Sequence, residues 1–571
     1  MRGAVRWLPA LLVPVVALWV VAAAGVGVTG RVAVITVALA ALLVALGVWQ
    51  GLPLDATHGW LAGLLAWAAL VAAVRPVAHA DAMWLLAVGA VALAFLAAAA
   101  RPRVAAWAAI AVVLAGTLGA AWLVVERVLL GPRPPGPFGN PNPAASLAVL
   151  ALALVPWLRA PRYLRLVAGS IAAAGIVSSG SRSALLAMAV IALAWVGSRR
   201  LRLVALAIAG LAIAGISLRV ATDRDPLRWE RVRIWSTAIR TAVAELPCGA
   251  GPGGFADAAV AHNFPRVGEF AHFHRLPSLA ESDLLQLAAT LGIPGLVLGL
   301  GLTWRVVAVL LAAGSRGRAV AGALLVGAAF NSHLALPVMA WTTALAVAGA
   351  RGRLRARPLR APASAVMAAI LLVAVPAALA LAERDGGIAR DAERVVSALE
   401  VELPDVMNDD NALARLEARA EEACKLRPRL GRAWRVLGVI QLRRADLRRE
   451  DALVEAAVAS YRRGRAVNPT DVWAAVGEAR ALRRRGDLAD ARRALLDAVR
   501  LEPNCAVAWQ ELAAIHLAAG ELRSASEALT RLEAALFGAG RATFVSSYER
   551  AMVAVDDGLV RRLREAVGLR P

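Results

Sequence analysis

Three arginines are the residues whose placement most directly indicates chemistry. Arg182 lies in a polar stretch that interrupts the apolar run 164–198, and Arg231 and Arg233 shortly precede Trp235 in the long loop between apolar runs. A guanidinium binds phosphate through paired, charge-assisted hydrogen bonds, each worth about 1.5–3 kcal/mol. We therefore predict that these arginines bind a diphosphate. The alternatives are a snorkelling side chain for Arg182 and a loop salt bridge for Arg231.

Three further residues are candidates for a general base towards a hydroxyl group. His272 and His274 lie late in the same loop, and Glu281 follows them. A positioned base contributes about 10²–10⁴ in rate, and imidazole titrates near neutral pH. We place His274 slightly ahead of His272, with Glu281 third. The alternative for each histidine is an ordinary surface side chain.

Composition indicates the solvent that the elements around these residues meet. Of the 571 residues, 59% are hydrophobic, whereas soluble globular proteins contain about 45–50% apolar residues. About 20 apolar residues cross a bilayer, and helices satisfy their backbone groups there. The sequence predicts about 12–13 helical spans, with 319–350 alternatively forming one tight hairpin. They lie at 7–28, 32–52, 58–74, 82–100, 104–125, 143–157, 164–181, 183–198, 201–218, 284–313, 319–334, 337–350 and 363–382.

Arginine in the short loops predicts the orientation of these spans, since cytoplasmic loops carry an excess of Lys and Arg. Clusters at 101–103, 159–165, 199–202, 316–318 and 351–360 alternate with loops that hold fewer arginines. This pattern predicts a cytoplasmic N-terminus. The first apolar run continues to about Val28, which is too long for the hydrophobic region of a signal peptide, so a retained first span is expected. It places the loop 219–283 outside. The C-terminal domain follows the loop outside if 319–350 makes an even number of crossings.

Charge and cysteine content exclude several classes of function. The formal net charge of +22 would suggest nucleic acid in a soluble protein. Here many arginines lie in short loops without a basic, aromatic-lined groove, so no nucleic-acid partner is predicted. The three cysteines lack metal-ligand spacing, no carboxylate pair is spaced like a metal site, and the glycines at 249–254 do not fit a Rossmann fingerprint. The prediction is no metal and no cofactor.

From about residue 412 the sequence repeats with a period of roughly 34–40 residues. Trp, Gly, Ala and Pro recur in register, at Trp434, Gly438, Ala466 and Pro469, then at Trp473, Gly477, Ala498 and Pro503, then at Trp509 and Ala513. The pattern resembles the tetratricopeptide family over 412–536, with an insertion around 445–451. That resemblance implies helix pairs whose concave face binds a peptide or a partner protein. The alternative is a spacer or an assembly surface without a ligand.

Several polar segments are expected to lie at one membrane surface. In chain order they are Phe138–Asn142, Ser178–Ala184, Arg231–Trp235, Leu246–Phe255, the histidines His262, His272 and His274, Ala280–Gln286, Gly292–Gly295 and Asn331–His333 with Pro337. This ordered set resembles the O-antigen ligase/polymerase family of membrane glycosyltransferases. The resemblance implies metal-independent, inverting transfer of a glycan from a polyprenyl-diphosphate carrier at the outer face of the bacterial cytoplasmic membrane, as in lipopolysaccharide synthesis. The family's His-Asn before Asp-x-Leu-Gln is replaced here by Glu281-Ser282, which leaves the base open.

The expected architecture is all-α, a polytopic helical membrane domain followed by an α-solenoid of tetratricopeptide-like repeats. Its parts are N-terminal spans at 1–218, an external loop at 219–283, further spans at 284–382, a linker at 383–411 and repeats at 412–571. The expected partners are the membrane, a polyprenyl-diphosphate-linked glycan, an acceptor that is a lipid, a glycan or a protein, and a protein on the repeats. Two other functions stay open: a non-catalytic membrane-anchored scaffold for partner proteins, or a transporter.

Overall fold

A computed structural model describes residues 56–75, 89, 92, 102–131, 134–138, 140–195, 230–266, 268–332, 336–351, 392–542, 544 and 546–568. These residues form helices and the turns between them and no β-strand, so the predicted all-α class is confirmed for this part of the chain. The predicted spans at 7–28, 32–52, 201–218 and 363–382, and nearly all of 82–100, lie outside the described residues.

The chain divides into two compact units. The first, here called the apolar unit, comprises Met1–Asp225, Ala238–Phe255 and Leu279–Gly386. The second, the repeat unit, comprises Pro226–Thr237, Ala256–Ser278 and Gly387–Pro571. Both units are therefore discontinuous in sequence, and the loop expected at 219–283 contributes to each of them.

Helices α1 to α10 precede the repeats. In chain order they are Ala56–Val74, Pro102–Leu130, Pro141–Leu154, Arg162–Ser179, Arg182–Trp195, Glu230–Ala244, Phe255–Ala259, Asp283–Ala312, Ser315–Phe330 and Pro337–Arg351. The boundary between the two units falls within α6 and at the start of α7. In the apolar unit, α2 packs against α3, α4 and α10, α5 packs against α9, and α8 packs against α1 and α9. Each predicted span within the described residues thus corresponds to a helix.

Helix α3 lies in the interior of the apolar unit and is buried from Pro143 to Leu154. A helix that is apolar on all sides is stable only when other elements or lipid surround it. Asn140 begins α3, because its side chain accepts a hydrogen bond from the Asn142 N–H at 2.9 Å. Pro141 then occupies the first turn, where its missing N–H costs nothing.

Small residues allow the neighbouring helices to approach closely. A Cβ added to Gly116 of α2 would overlap the Leu147 carbonyl of α3, and one added to Gly175 of α4 would overlap Ala120 of α2. The core of this unit consists largely of Ala, Val and Leu. Helix contacts built on small residues are typical of helices that pack within a membrane.

Helices α2 and α8 carry large apolar side chains on their outer faces. Leu118 is 70% exposed, Val128 78% and Trp304 73%. Exposure of such an apolar surface to water costs a free energy of about 25 cal/mol for each Å². The segments Ala105–Leu130 and Asp283–Ala312 are long and apolar enough to cross a membrane. Two of the helices that the structure describes could therefore span a membrane.

The repeat unit continues with helices α11 to α20. They are 392–406, Asp410–Leu426, Gly431–Arg448, Asp451–Val467, Val472–Arg485, Leu488–Leu501, Ala506–Ala518, Leu522–Ala539, Ser547–Met552 and Asp557–Ala566. Helices α13 and α14, α15 and α16, and α17 and α18 form pairs that pack on the next pair along the chain. Because α15 and α17 begin 34 residues apart, at Val472 and Ala506, these are tetratricopeptide-like repeats, as predicted.

The recurring residues of the repeats make equivalent contacts. Gly438 and Gly477 both face the ring of Tyr461, which a Cβ on either would overlap or touch. The indole N–H groups of Trp434 and Trp509 each donate to the carbonyl of a proline six residues earlier, at 2.9 and 2.8 Å. The expected insertion around 445–451 lengthens α13 to 18 residues, compared with 14 in α15.

The segment expected as a linker at 383–411 contains a helix of its own. Residues 392–406 are helical and pack against α12 and α13 through Ala392, Val396, Leu399 and Leu403. The spacing of these four residues is that of one helix face. The stack of helices therefore begins before the first recognisable repeat.

Candidate functional site

A cluster of buried hydroxyl and amide side chains lies where three helix ends of the apolar unit meet. Ser183, in the first turn of α5, accepts a hydrogen bond from Asn331 Nδ2 at 3.2 Å, and its hydroxyl lies 3.2 Å from that of Ser181. Asn331 directly follows α9. We call Ser181, Ser183, Ser282, Asn331 and Ser332 the polar cluster, and each is at most 7% exposed.

Ser282 connects the start of α8 to the polar cluster. Its backbone N–H donates to the Ser332 hydroxyl at 3.2 Å, and its own hydroxyl donates to the Ala328 carbonyl at 3.3 Å. Asp283, the first residue of α8, is also buried. Helices α5 and α8 both begin at residues of the polar cluster, and the residues that follow α9 link the two starts. The start of a helix carries free N–H groups and the positive end of the helix dipole. At the start of α8 the buried carboxyl group of Asp283 lies in this position.

Arg182 lies between two buried members of the cluster, Ser181 and Ser183, while its own side chain is exposed. Gly180 ends α4 with φ +66, and the Ser181 N–H then donates to Ser179 Oγ at 3.1 Å. A left-handed glycine at a helix end is a common way to reverse the chain. The tight turn fixes the first residue of α5, so the base of the Arg182 side chain is held firmly.

Glu281 has an unusual backbone conformation beside the cluster. Its φ of +54 lies in the left-handed region, which a residue with a Cβ rarely adopts. The preceding Ala280 N–H donates to Gln286 Oε1 at 2.8 Å and holds the turn. Strained conformations of this kind concentrate at functional sites. Glu281 is the candidate base that belongs to the same unit as the polar cluster and Arg182.

A small cavity of about 10 Å³ adjoins the cluster, with Ser146, Ser183 and Asn331 as its polar lining. This volume holds about one water molecule. No substrate fits there, so the buried hydroxyls act as support. Arg182 and Glu281, which lie next to members of the cluster in sequence, are less buried than its hydroxyl groups.

The glycine-rich segment 249–254 packs on a break in α8. Gly292, with φ +64 and ψ −161, interrupts the helix two residues before Pro294. Three backbone hydrogen bonds join the loop to the helix: Ala250 N–H to the Ala289 carbonyl (2.9 Å), Gly251 N–H to the Thr290 carbonyl (2.8 Å) and Ile293 N–H to the Pro247 carbonyl (3.2 Å). The loop thus replaces hydrogen bonds that the broken helix lacks.

Two glycines permit this close approach. A Cβ on Gly292 would overlap the Pro247 carbonyl oxygen, and a Cβ on Gly249 would lie 2.5 Å from the Thr290 carbonyl carbon. Both residues have a positive φ. The glycine-rich segment 249–254 and the motif Gly292–Gly295 therefore contact each other through their backbones.

In the repeat unit, Arg231 and Arg233 lie on α6, two residues apart. Residues at this spacing occupy different faces of a helix, so the two arginines do not act through a shared face. Arg233 donates to the Pro265 carbonyl at 2.5 Å. Glu230, at the start of the same helix, forms an ion pair with the buried Arg266. These two contacts attach residues 265 and 266 to α6.

The histidine-bearing segment binds to the turn between α16 and α17. Glu502 accepts hydrogen bonds from the backbone N–H groups of His272 and Phe273, at 2.6 and 2.7 Å. Asn504 Nδ2 donates to the Phe270 carbonyl at 2.8 Å. Glu502 is fully buried, and this burial raises its pKa to about 7 although the two N–H groups favour its charged form.

The two candidate histidines have different surroundings within the repeat unit. His274 Nδ1 lies 3.1 Å from the Ala271 carbonyl and 3.6 Å from Glu269, and the ring stacks on Tyr548 with centroids 6.1 Å apart. Burial lowers the pKa of His272, although Glu269 opposes this effect. This shift favours the neutral form of His272, which is the form that a base requires.

The structure distributes the predicted site residues between the two units. Arg182 and Glu281 belong to the apolar unit, whereas Arg231, Arg233, His272 and His274 belong to the repeat unit. The sequence predicts that Asn331 belongs to a polar segment at the membrane surface, but it does not indicate the hydrogen bond from Asn331 to Ser183. Within the described part of the chain, no group of three or more His, Cys, Asp or Glu residues is placed to hold a metal ion.

No protein-family profile matches this chain, and no curated protein matches it. Solved structures of MamA resemble part of it. One, named "MamA RS-1 ArsTM double mutant", is 18% identical and covers 26% of this chain and 88% of its own, with a TM-score of 0.21. Another, "Crystal structure of MamA", is 14% identical and covers 26% and 90%, with a TM-score of 0.20. Likenesses this limited carry no inference about function.

Proposed function

We propose that this chain is a membrane glycosyltransferase of the O-antigen ligase/polymerase type. It would move a glycan from a polyprenyl-diphosphate carrier to an acceptor hydroxyl at the outer face of the cytoplasmic membrane. The observation that carries the proposal is the polar cluster. Segments around residues 182, 282 and 331 are far apart in sequence, yet hydrogen bonds join them at three helix ends. These are segments in which the sequence resembles that family.

The apolar unit supports a membrane location for this chemistry. Its interior helix α3 is apolar on all sides, its helices meet through glycine and alanine, and its outer faces expose leucine, valine and tryptophan. A bilayer provides the solvent that such faces require. We therefore propose a multi-pass domain in which the helices of this unit, and not α2 and α8 alone, cross the membrane.

Binding of the diphosphate is assigned to Arg182, with Arg231 and Arg233 as further candidates. Arg182 is exposed beside the starts of α5 and α8, where helix N–H groups and helix dipoles favour an anion. The charge of the guanidinium adds to this field without a metal ion. The carrier lipid would enter from the bilayer and present its diphosphate at this boundary.

Glu281 is our preferred base among the three candidates. It belongs to the unit that holds Arg182 and has a conformation that the fold maintains despite its cost. A carboxylate can accept the proton of the acceptor hydroxyl as that oxygen attacks the anomeric carbon, while the diphosphate leaves with the bonding electron pair. His272 and His274 remain the alternatives. The acceptor would be a lipid, a glycan or a protein.

An arginine substitution tests the proposal. In a strain that lacks the chromosomal gene, the wild-type chain should restore surface glycan attachment, while Arg182→Ala should reduce it about 10- to 150-fold, the equivalent of 1.5–3 kcal/mol. The matched control is Arg318→Ala, another exposed arginine in the first turn of a helix, α9. Surface glycan is measured by gel and mass spectrometry at equal protein levels. Full activity of both Arg182→Ala and Arg231→Ala would contradict the glycosyltransferase proposal.

A further inference from the structure

We propose that the repeat unit contains a peptide-binding pocket whose ligand is the chain's own segment 269–274. The pocket, called the loop pocket, consists of Glu502 and Asn504 in the turn after α16, together with Phe544 and Tyr548. All of these residues and the segment belong to the repeat unit. The contacts that define the pocket do not depend on the reaction proposed above, in which His272 and His274 of this segment are the alternative bases.

Recognition of the main chain is one part of the pocket's chemistry. One carboxylate, that of Glu502, accepts two successive N–H groups, and the Asn504 amide donates to the Phe270 carbonyl on the other side. Successive N–H groups that converge on one anion form a recurrent binding arrangement in proteins. Because these partners are backbone groups, they select a non-helical segment with free N–H groups rather than a particular side chain.

Recognition of side chains is the other part. Ala271 is fully buried in the core of the repeat unit, where a larger side chain has no space to enter without displacing its neighbours. Phe270 meets the Phe544 ring edge to face with centroids 5.1 Å apart, and His274 stacks on Tyr548. The preferred ligand is thus a peptide with a small residue directly after an aromatic one.

A second contact holds the same loop on the repeats. Arg427 of the loop after α12 donates to both carboxylate oxygens of Asp257, each at 2.7 Å, and also pairs with Glu393 at 2.6 Å. Attachment at Asp257 raises the effective concentration of segment 269–274 at the loop pocket. A peptide from another molecule would therefore enter only after this segment is released.

Hydrogen exchange of the full-length protein in detergent tests the docking. In the wild type, the amides of His272 and Phe273 should exchange at least 10-fold more slowly than in Ala271→Glu, which places a charged side chain in the core. The matched control is Ala261→Glu, an exposed alanine of the same loop, which should leave this protection unchanged. Exchange in α15 and α17 reports whether the repeats stay folded. Equal exchange in the wild type and Ala271→Glu would overturn the proposal.

A labelled peptide that spans residues 268–276 tests whether the pocket recognises a ligand or merely packs against the loop. The peptide should bind full-length Ala271→Glu, whose pocket is vacated, at least 10-fold more tightly than the wild type. The same peptide with Glu in place of Ala271 should not bind. Asn504→Ala leaves the sequence of the loop intact. It should both weaken binding of the peptide and reduce the protection of the His272 and Phe273 amides from exchange. Absence of binding to the vacated pocket would contradict the inference.

Discussion

Glu502 shows how a single residue can link the loop to pH. Burial raises its pKa to about 7 from the ordinary 4.5, the N–H groups of His272 and Phe273 oppose the rise, and the charge of Glu549 adds to it. The folded repeat unit therefore binds a proton more tightly than the unfolded chain does. The stability that this proton contributes is fully present below about pH 4.5 and is lost as pH rises through about 7.

Comparison of the wild type with Glu502→Gln tests this effect, because the amide does not titrate. The melting temperature of the wild-type repeat unit should fall relative to that of the variant between pH 4.5 and pH 8. The shift in pKa corresponds to about 3 kcal/mol at most, or roughly 6–10 °C for a unit of this size. Melting is followed by the loss of protease resistance of α12 to α18 in the full-length protein. Parallel curves for the two proteins would contradict the assignment.

The sequence indicates some of these residues and not others, for a physical reason. Arg182 and Glu281 stand out because each is a charged residue at the end of an apolar run. Such a residue is costly there, and the sequence around it is enough to reveal it. Glu502 lies before Pro503 in a charged helical repeat, where carboxylates are common and usually solvated. Its burial depends on residues 270–273, about 230 positions earlier. No local pattern carries that information.

At the scale of elements, the break in α8 controls how the glycine-rich loop is held. Gly292 combines φ +64 with ψ −161, a conformation that is essentially restricted to glycine. We expect Gly292→Ala to destabilise the apolar unit by about 3 kcal/mol, since the new Cβ adds overlap with Pro247 to the conformational cost. The measurement is the fraction of protein that stays monodisperse in detergent after heating.

Gly63→Ala is the matched control for this substitution. Gly63 lies on α1, and a Cβ there would meet Leu298 of α8 at 3.4 Å, an ordinary contact. The control should be neutral or slightly stabilising, because alanine favours a helix more than glycine does. If both variants were equally stable, the backbone contact between the loop and α8 would not have the role assigned to it.

Helix positions follow from the sequence more readily than helix interactions do. The predicted spans at 104–125 and 284–313 correspond closely to α2 and α8, because an apolar run that ends at polar or glycine residues is a local signal. Gly292 and Pro294 likewise mark a break in α8 locally. The partner of that break, the loop at Gly249, is set by tertiary packing and is not visible in either motif alone. The helix at 392–406 has apolar residues at helical spacing, at Ala392, Val396, Leu399 and Leu403, which is also a local signal.

At the scale of the whole molecule, the repeat unit is formed by separate segments of the chain, and this constrains the membrane topology. Residues 256–278 and 387–571 form one compact unit, and a bilayer cannot pass through it. In the proposed membrane arrangement, the chain must therefore cross the membrane an even number of times between residues 279 and 386. If α8, α9, α10 and the predicted span 363–382 each cross, as proposed, the number of crossings is four, which satisfies this requirement.

Cysteine labelling tests this topology. The substitutions Ser278→Cys and Ser524→Cys are made one at a time in a Cys248→Ser background. Each new cysteine should react with an impermeant maleimide added to spheroplasts. Cys424 and Cys505 should stay silent, because burial raises the pKa of each thiol to about 12 and so suppresses the reactive thiolate. Reaction at one of the two positions from outside and at the other only after lysis would contradict the arrangement.

The discontinuity of the repeat unit also dictates an order of assembly during translation. Phe270 and His274 leave the ribosome long before their partners Phe544 and Tyr548 are made, because those partners follow in the last tenth of the chain. At about 5–20 residues per second, the wait is on the order of 15–55 seconds. During that interval the aromatic rings of the loop are exposed, because the rings that cover them have not yet been synthesised. A nascent chain that stalls or is truncated before residue 544 would therefore present this segment to chaperones and proteases.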